Sequence, residues 1–403
     1  MSSIQVFSEI GKLKQVILHR PGREVENLIP DYLERLLFDD IPYLKVARQE
    51  HDRFAEILRE NGTEVLYLEE MLAEVLADTE TKHAFLHEML EESEVYSAYC
   101  RSALYERLSG LPVAQMIDDI MSGIRKGEVE FTGDSLHDVL KSDYEFYIDP
   151  MPNLYFTRDP GACIGNGLTI NTMTTRARKR ETLFLKYLHL HHEILKGAPL
   201  WYNRDMPHNI EGGDELVLSD KVVAIGCSDR TSAAAIERVT KNLFRAESTY
   251  ETVLVFEIQK RRAYMHLDTV FTMVDYDKFT VHPGIYSDLN IYEMTKVGEG
   301  RYSVRYVGNS AAKALQDALK IDKVDLIECG GGDAIIAHRE QWNDGSNTLA
   351  IAPGVVVTYE RNYVSNELLE KKGIQVLTMP SSELSRGRGG PRCMSMPINR
   401  EKL

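Results

Sequence analysis

Short apolar runs alternate along this chain with longer stretches in which apolar residues return every three or four positions, and the two textures follow each other in a fixed order. One unit begins at Asp159 with DPGACIGNGLTIN, passes through RARKRETLFLKYLHLHHEIL and closes with PLWYN. The next begins at Asp214 with DELVLSDKVVAIG, continues through SAAAIERVTKNLF and ends in ETVLVFEI. A third begins at Asp268 with DTVFTMVDYDKFTVHP, continues through SAAKALQDALK and closes with KVDLIEC. Each predicts two strands joined by a turn, an amphipathic helix and a further strand, and the starts lie 55 and 54 residues apart. Two weaker copies complete the set. KQVILHRPG leads into YLKVARQEHDRFAEILRENG and EVLYL near the N-terminus, and TLAIAPGVVVTYERN leads into SNELLEKKG and QVLTMP near the C-terminus. No unit of this size buries its apolar face alone, so five are expected to close into a ring with their equivalent ends meeting at one central site.

Between EVLYL and FTRD the texture becomes helical, with apolar residues at helical spacing and many acidic residues. We therefore expect a catalytic α/β body from residues 1–68 and 145–403, and an inserted α-helical subdomain of four or five helices at 69–144. No chemistry is evident in the insertion, whose helices are read as oligomer contacts or a lid.

The 403 residues allow two or three domains, or one large architecture with an insertion. No apolar run approaches 18 residues, so no membrane-spanning helix is expected. The N-terminal MSSIQVFSEIGKLKQVILHRPG lacks the features of a secretory signal, which points to the cytoplasm. A formal net charge of −15 opposes binding to nucleic acid or anionic membrane and suits a small cationic substrate. The five cysteines are far apart and form no CxxC pair, so neither a disulfide framework nor a zinc knuckle is indicated.

The candidate chemistry begins in SRGRGGPRCMSMP, where Gly387, Arg388, Gly389, Gly390 and Pro391 deliver Cys393 on a loop that lets main chain approach a ligand. Cys393 is a candidate nucleophile. Three further motifs keep it company. HLD places His266 and Asp268 two apart in a strand-like run, with both side chains expected on one face. EGGD sets Glu211 before a bare glycine turn, and FTRD sets Asp159 before a proline. HLHHE at 189–193 lies in a helical pattern without a second ligand cluster, and ECGGGD at 328–333 lacks the lysine and serine or threonine of a phosphate loop. No metal is expected. Cys100, Cys163, Cys227 and Cys329 are read as structural.

FTRD, EGGD, HLDTVF and GRGGPRCMSMP in this order, with LHRPGRE and LLFDD upstream, resemble the arginine deiminase family of the guanidino-modifying enzymes over essentially the whole chain. The resemblance implies a five-bladed pseudosymmetric α/β propeller and no metal or organic cofactor. It also implies hydrolysis of L-arginine to L-citrulline and ammonia through an S-alkylthiouronium on Cys393. Asp159 and Asp268 are then the guanidinium clamp, and His266 with Glu211 the proton carrier. Arg178, Arg230 and Arg388 are assigned to the α-carboxylate. Asn153, Phe156, Asn347, Leu37 and Gly387 are assigned as further pocket residues. A homo-oligomer, a dimer or a dimer of dimers, is expected. One departure stands out: Arg392 precedes Cys393 where histidine is frequent, and a cation there should depress the thiol's pKa. The alternatives are an amidinotransferase, a methylarginine hydrolase or a silent arginine-binding protein; the intact Cys393, His266 and Glu211 speak against the last.

Overall fold

Five sheets built on one three-stranded topology make up the body of the computed structural model, which describes residues 3–132, 136, 144–245 and 248–403. In each sheet an antiparallel pair is followed by a helix and then by a strand parallel to the second of the pair. Sheet one contains β1 (Leu13–Leu18) and β2 (Glu64–Tyr67), joined by the helix Leu44–Glu60. The short strands β3 (Ile124–Arg125) and β4 (Phe146–Ile148) pair with each other outside these sheets. Sheet two comprises β5 (Cys163–Ile164), β6 (Gly167–Thr169) and β7 (Leu200–Tyr202), with the helix Glu181–His191 before β7. Sheet three comprises β8 (Glu215–Val217), β9 (Val222–Cys227) and β10 (Thr252–Glu257), with the helix Ala233–Leu243.

Sheet four pairs β11 (Phe271–Met273) with β12 (Lys278–Val281), but a hairpin of β13 (Asn290–Gly298) and β14 (Arg301–Gly308) intervenes before its helix Ala311–Leu319 and β15 (Asp325–Glu328). That hairpin, which the repeat pattern does not anticipate, extends sheet three to the order β14-β13-β10-β9-β8. Sheet five comprises β16 (Leu349–Ala352), β17 (Val355–Tyr359) and β18 (Gln375–Met379), with the helix Tyr363–Lys371. The last strand, β19 (Met396–Arg400), runs antiparallel to β1 and supplies the strand that sheet one lacks. Residues from the two ends of the chain thus complete one sheet.

The helices begin where local chemistry allows. Ser232 and Ser310 cap theirs by accepting hydrogen bonds from the amides of Ala235 and Lys313. Along Leu44–Glu60 the buried positions Leu44, Ala47, His51, Phe54, Ala55 and Leu58 form one stripe that packs on the first sheet. Neighbouring sheets share cores. One core joins Ile17 and Ile398 to Phe184 and Leu188 and on to Ile225 and Val253. A second spans Leu254, Phe271, Val281 and Val356. A third returns from Val357 and Met379 to Leu13, Val16 and Leu18, and takes in Cys393.

Among the described residues four helices follow β2 before β3: Leu68–Val75, Thr79–Glu92, Ala98–Ser109 and Val113–Ser122. They pack on sheet two's helix, with Phe85 stacked on Phe184 at 6.0 Å and edge-on to Tyr187 at 5.1 Å. Of the predicted insertion, residues 133–135 and 137–143 lie outside the described residues. His19, in LHRPGRE, ties the first sheet to these helices: its ring nitrogens meet Glu69 at 2.8 Å and Glu24 at 3.3 Å. Burial alone would lower its pKa, but the two carboxylates outweigh burial and raise it to about 10. The stability this contributes is present in full below the unfolded histidine's pKa near 6.5 and is lost as pH rises through about 10. We therefore expect His19→Gln to destabilise the protein by about 3 kcal/mol at pH 6. The deficit relative to wild type, read from urea midpoints, should shrink steadily toward pH 10.

Candidate active site

The segment leading into the first strand of each sheet carries one of the singled-out residues. Asp159 precedes β5, Glu211 precedes β8, His266 and Asp268 precede β11, Asn347 precedes β16, and Cys393 precedes β19. Two of these segments share a conformation: Glu211 and His266 are extended and each opens a 3-10 turn, Gly212–Asp214 and Leu267–Thr269. HLD is therefore not the strand-like run that its alternation predicts. The amide of Leu267 turns inward to donate to Asp214 Oδ1 at 2.7 Å, and that buried bond outweighs local strand preference.

Hydrogen bonds join the five entry segments in a closed circuit. The amide of Arg158 donates to the carbonyl of Cys393 at 3.1 Å, and that of Gly212 to the carbonyl of Asp159 at 3.1 Å. Leu267 donates to Asp214 as above, and Asn347 Nδ2 donates to the carbonyl of Asp268 at 3.1 Å. The amide of Cys393 then donates to Asn347 Oδ1 at 3.0 Å, which returns the circuit to its start. Asn347 is thus a bridge between two segments, with no exposed surface of its own. The glycines are required by the packing. A Cβ on Gly213 would lie 2.6 Å from His266 Nδ1, and one on Gly387 would lie 1.9 Å from Tyr155 Oη.

Within this frame Cys393 Sγ lies 3.6 Å from Asp268 Oδ2. His266 donates from Nε2 to Glu211 Oε2 at 2.8 Å, while its Nδ1 lies 3.6 Å from Asp159 Oδ1. Asp159 Oδ1 and Asp268 Oδ1 are both buried and have no hydrogen-bond partner. Two carboxylates that each leave one buried oxygen without a hydrogen bond are costly unless a ligand with N–H donors meets them.

Leu37, Asn153, Phe156, Asp159, Arg178, Arg230, His266, Gly387, Arg388 and Cys393 line one narrow cavity; Glu211, Asp268 and Asn347 are buried behind them. The arginines differ in what they hold. Arg178 is spent on the protein, bonding Glu181 at 2.8 Å, Asp159 Oδ2 at 2.5 Å and the carbonyls of Asn153 and Phe156. Arg230 is held loosely, 3.5 Å from Glu211 Oε2. Arg388 stacks on Trp342. Sequence reasoning missed Asp39, Arg262, Met265 and Thr269, which also line the cavity. Their one available signal was position, since Asp39 lies in LLFDD and the other three flank HLD.

Arg392 acts on the thiol in the expected direction but does not prevail. Its guanidinium is buried and turned to Glu9 at 3.0 Å and Asp268 Oδ2 at 2.7 Å, so it anchors a carboxylate beside the thiol. Burial pushes the Cys393 thiol well above its ordinary range; Asp268, Asp159 and Asp344 add to the rise, and the opposing pull of Arg392 is smaller. The thiol is therefore protonated at rest. His266 moves the other way in charge: burial would lower its pKa, but Asp159 and the hydrogen bond to Glu211 raise it to about 9. Burial would raise that of Glu211, but His266 and Arg230 bring it to about 2. At neutral pH the pair is imidazolium and carboxylate.

Asp159, Glu211 and His266 offer three ligand atoms within 4.8 Å of one another, which is close enough for a metal ion. Arg178 and Arg230 already stand against the two carboxylates, and a dication there would face both guanidinium groups. In HLHHE, His189 Nε2 donates to the carbonyl of Ala198 at 2.9 Å and His192 Nε2 meets Glu74 at 3.2 Å, so both nitrogens serve packing.

Comparison with known proteins adds descent to this geometry. The family described as arginine deiminase matches residues 34–400. An arginine deiminase of Latilactobacillus sakei is 54% identical over 100% of this chain and 99% of its own. One of Clostridium perfringens is 54% identical with the same coverage, and one of Bacillus cereus is 53% identical over 99% of each. Among solved structures, a DDAH from Pseudomonas aeruginosa bound to citrulline aligns with a TM-score of 0.54 at 14% identity, covering 96% of this chain and 99% of that one. The inosamine-phosphate amidinotransferase of Streptomyces griseus aligns with a TM-score of 0.54 at 15% identity, covering 100% and 98%. These two share the mixed α/β fold at an identity too low to carry more. With most of its length matched by the family and half of its residues identical to full-length members, the chain belongs to the arginine deiminase family.

Proposed function

We propose that this protein hydrolyses the guanidino group of free L-arginine to L-citrulline and ammonia, and that Cys393 carries the intermediate. The observation that supports it most is the pair of buried oxygens without a hydrogen bond, Asp159 Oδ1 and Asp268 Oδ1, on carboxylates close to His266 and to the Cys393 thiol respectively. A guanidinium is a planar cation with N–H donors on its edges, and carboxylates recognise it by charge-assisted hydrogen bonds. Its arrival offsets the negative charge of the carboxylates that keep the Cys393 thiol protonated, so the thiol releases its proton to solvent and the thiolate forms as substrate binds.

The thiolate attacks the guanidinium carbon and gives a tetrahedral adduct. His266, already protonated, gives its proton to the departing ammonia and leaves the S-alkylthiouronium. The neutral imidazole then takes a proton from water as the oxygen adds to the same carbon, and collapse releases citrulline and the cysteine. Glu211 holds the imidazole in orientation throughout. Arg230 and Arg388 receive the α-carboxylate, Arg178 fixes Asp159, and Asn153, Phe156, Leu37 and Gly387 shape the aliphatic channel.

The same reading takes the five sheets as blades of a pseudosymmetric propeller. It is supported by their common topology, by cores shared from sheet to sheet back to the first, and by the hydrogen-bonded circuit of entry segments. The body then spans residues 1–68 and 145–403, with 69–144 inserted as a helical subdomain. Among the described residues no helix is long and apolar enough to cross a membrane. A cytoplasmic location and a homo-oligomer belong to the same reading and rest on the family likeness alone.

Incubation with free arginine should yield citrulline and ammonia in equal amounts; absence of citrulline would overturn the assignment. Cys393→Ala should lower citrulline formation by about a thousandfold or more while the far-ultraviolet circular dichroism stays unchanged. Retention of a tenth of the activity would remove Cys393 from the mechanism. Glu211→Gln should move the pKa of His266 down from about 9 by roughly one unit or more, because an anion that favours the imidazolium is lost. The working form is the imidazolium, so the alkaline limb of the kcat/KM profile should shift to lower pH. An alkaline limb that stays in place would assign that limb to another group.

A further inference from the structure

Trp342 ends the helix Ala334–Trp342, is half exposed, at 50%, and reaches the cavity through its contact with the lining residue Arg388. Arg388 Cζ lies 3.5 Å from the centroid of its ring. A guanidinium over an indole face is a strong cation–π geometry, and the stack fixes the plane of a side chain that otherwise has many rotamers. Arg388 is itself buried, in a left-handed backbone conformation with φ at 64° directly after the turn Leu384–Gly387. Its Nε and Nη1 are buried and have no hydrogen-bond partner. The neighbouring cavity arginines are occupied to different degrees: Arg178 by Glu181 and Asp159, Arg262 by Asp39, and Arg230 more weakly by Glu211. Arg388 alone among them has its charge inside the cavity wall and two donors unspent.

A nearby anion makes this arrangement informative. Asp344 attracts Arg388, as Asp39 does, while Arg262 repels it. Asp344 Oδ2 is also buried without a partner, yet no ion pair forms between the two. The guanidinium is stacked on Trp342 instead. Collapse onto Asp344 would spend the donors that an incoming anion needs.

We propose that Trp342 is a positioning residue for recognition of the substrate's α-carboxylate, holding Arg388 by its ring so that the unspent N–H groups stay available to that anion. The inference rests on the arginine-hydrolysing reading above. It separates Trp342 from residues that touch the reacting carbon, because its removal should affect ligands with a carboxylate and spare those without one.

Steady-state kinetics of wild type, Trp342→Ala and Trp342→Phe with arginine and with agmatine, which is arginine without its carboxylate, test it. Agmatine is followed as a substrate or, where turnover is slow, as a competitive inhibitor. Trp342→Ala should raise KM for arginine about 3- to 30-fold, the range that loss of a cation–π contact spans, with kcat within about twofold of wild type. Trp342→Phe keeps an aromatic face and should recover most of the loss. The agmatine constant should move by less than about twofold in either variant. An unchanged KM for arginine in Trp342→Ala would overturn the proposal. So would a kcat that falls as far as kcat/KM, or an equal loss with agmatine, since either marks a structural role. Wild type that makes no citrulline overturns the underlying reading together with this inference. Active wild type with unmoved KM in Trp342→Ala overturns this inference alone.

Discussion

The circuit of hydrogen bonds through the five entry segments is the constraint on which the site depends, because each segment is too short to hold its own conformation. None of the five is a strand or a full helix; they are single residues at the mouths of 3-10 turns or loops. What holds them is the next segment along: the amides of Arg158, Gly212, Leu267 and Cys393 and the side chain of Asn347 each find their partner on a neighbour. All five bonds lie in the buried interior, where an unmade bond costs about 1–3 kcal/mol. Displacing one segment therefore strands donors on the next, and the groups that do chemistry move as one body.

Burial has opposite consequences for the groups it encloses, and this is what divides the labour among them. It disfavours charge on Cys393, Glu211 and His266 alike, so the neighbours decide which of them stays charged. Glu211 and His266 have each other, with Arg230 and Asp159 alongside, and both remain ionised. Cys393 has carboxylates for neighbours and stays a thiol; Arg392 is drawn off to Glu9 and Asp268. A cation entering beside Asp159 and Asp268 changes the balance at Cys393 while the His266–Glu211 pair, already matched, is little affected. A neutral thiol and an imidazolium thus lie in one enclosed volume.

Around the cavity the backbone is held in conformations that side chains seldom adopt. Three of the five described non-glycine residues with positive φ, Leu37, Asp344 and Arg388, stand at or near it. The loop carrying Leu37 is fastened by two ion pairs, Asp39 with Arg262 and Asp40 with Arg386. Packing against Tyr155, Phe38 and Phe156 leaves no room for a Cβ at Gly387. The entrance is consequently built from residues under strain that surrounding contacts keep in place.

Much of the body could be read from the chain, since a helix or strand that buries one face leaves its period in the residues themselves. The units beginning at Asp159, Asp214 and Asp268 and the weaker terminal copies all correspond to sheets, and FTRD, EGGD, HLD and the GRGGPRC loop do converge. Partners far away in sequence leave no such period. That β19 completes the sheet of β1, and that the β13–β14 hairpin joins sheet three though it lies within unit four, depends on pairing between distant strands. HLD reads as a strand by alternation and is a turn because Asp214, in another unit, accepts the amide of Leu267. Arg392 reads as a cation beside a thiol and is also an anchor for Asp268; Arg178, assigned by resemblance to the α-carboxylate, is bonded to Glu181 and Asp159. Residue types and their spacing, which are local, determined the repeat and the chemical inventory. The charge state of each group, the donors left unspent and the pairing of chain ends were decided only by the fold, because each is set by neighbours that packing alone brings within a few ångströms.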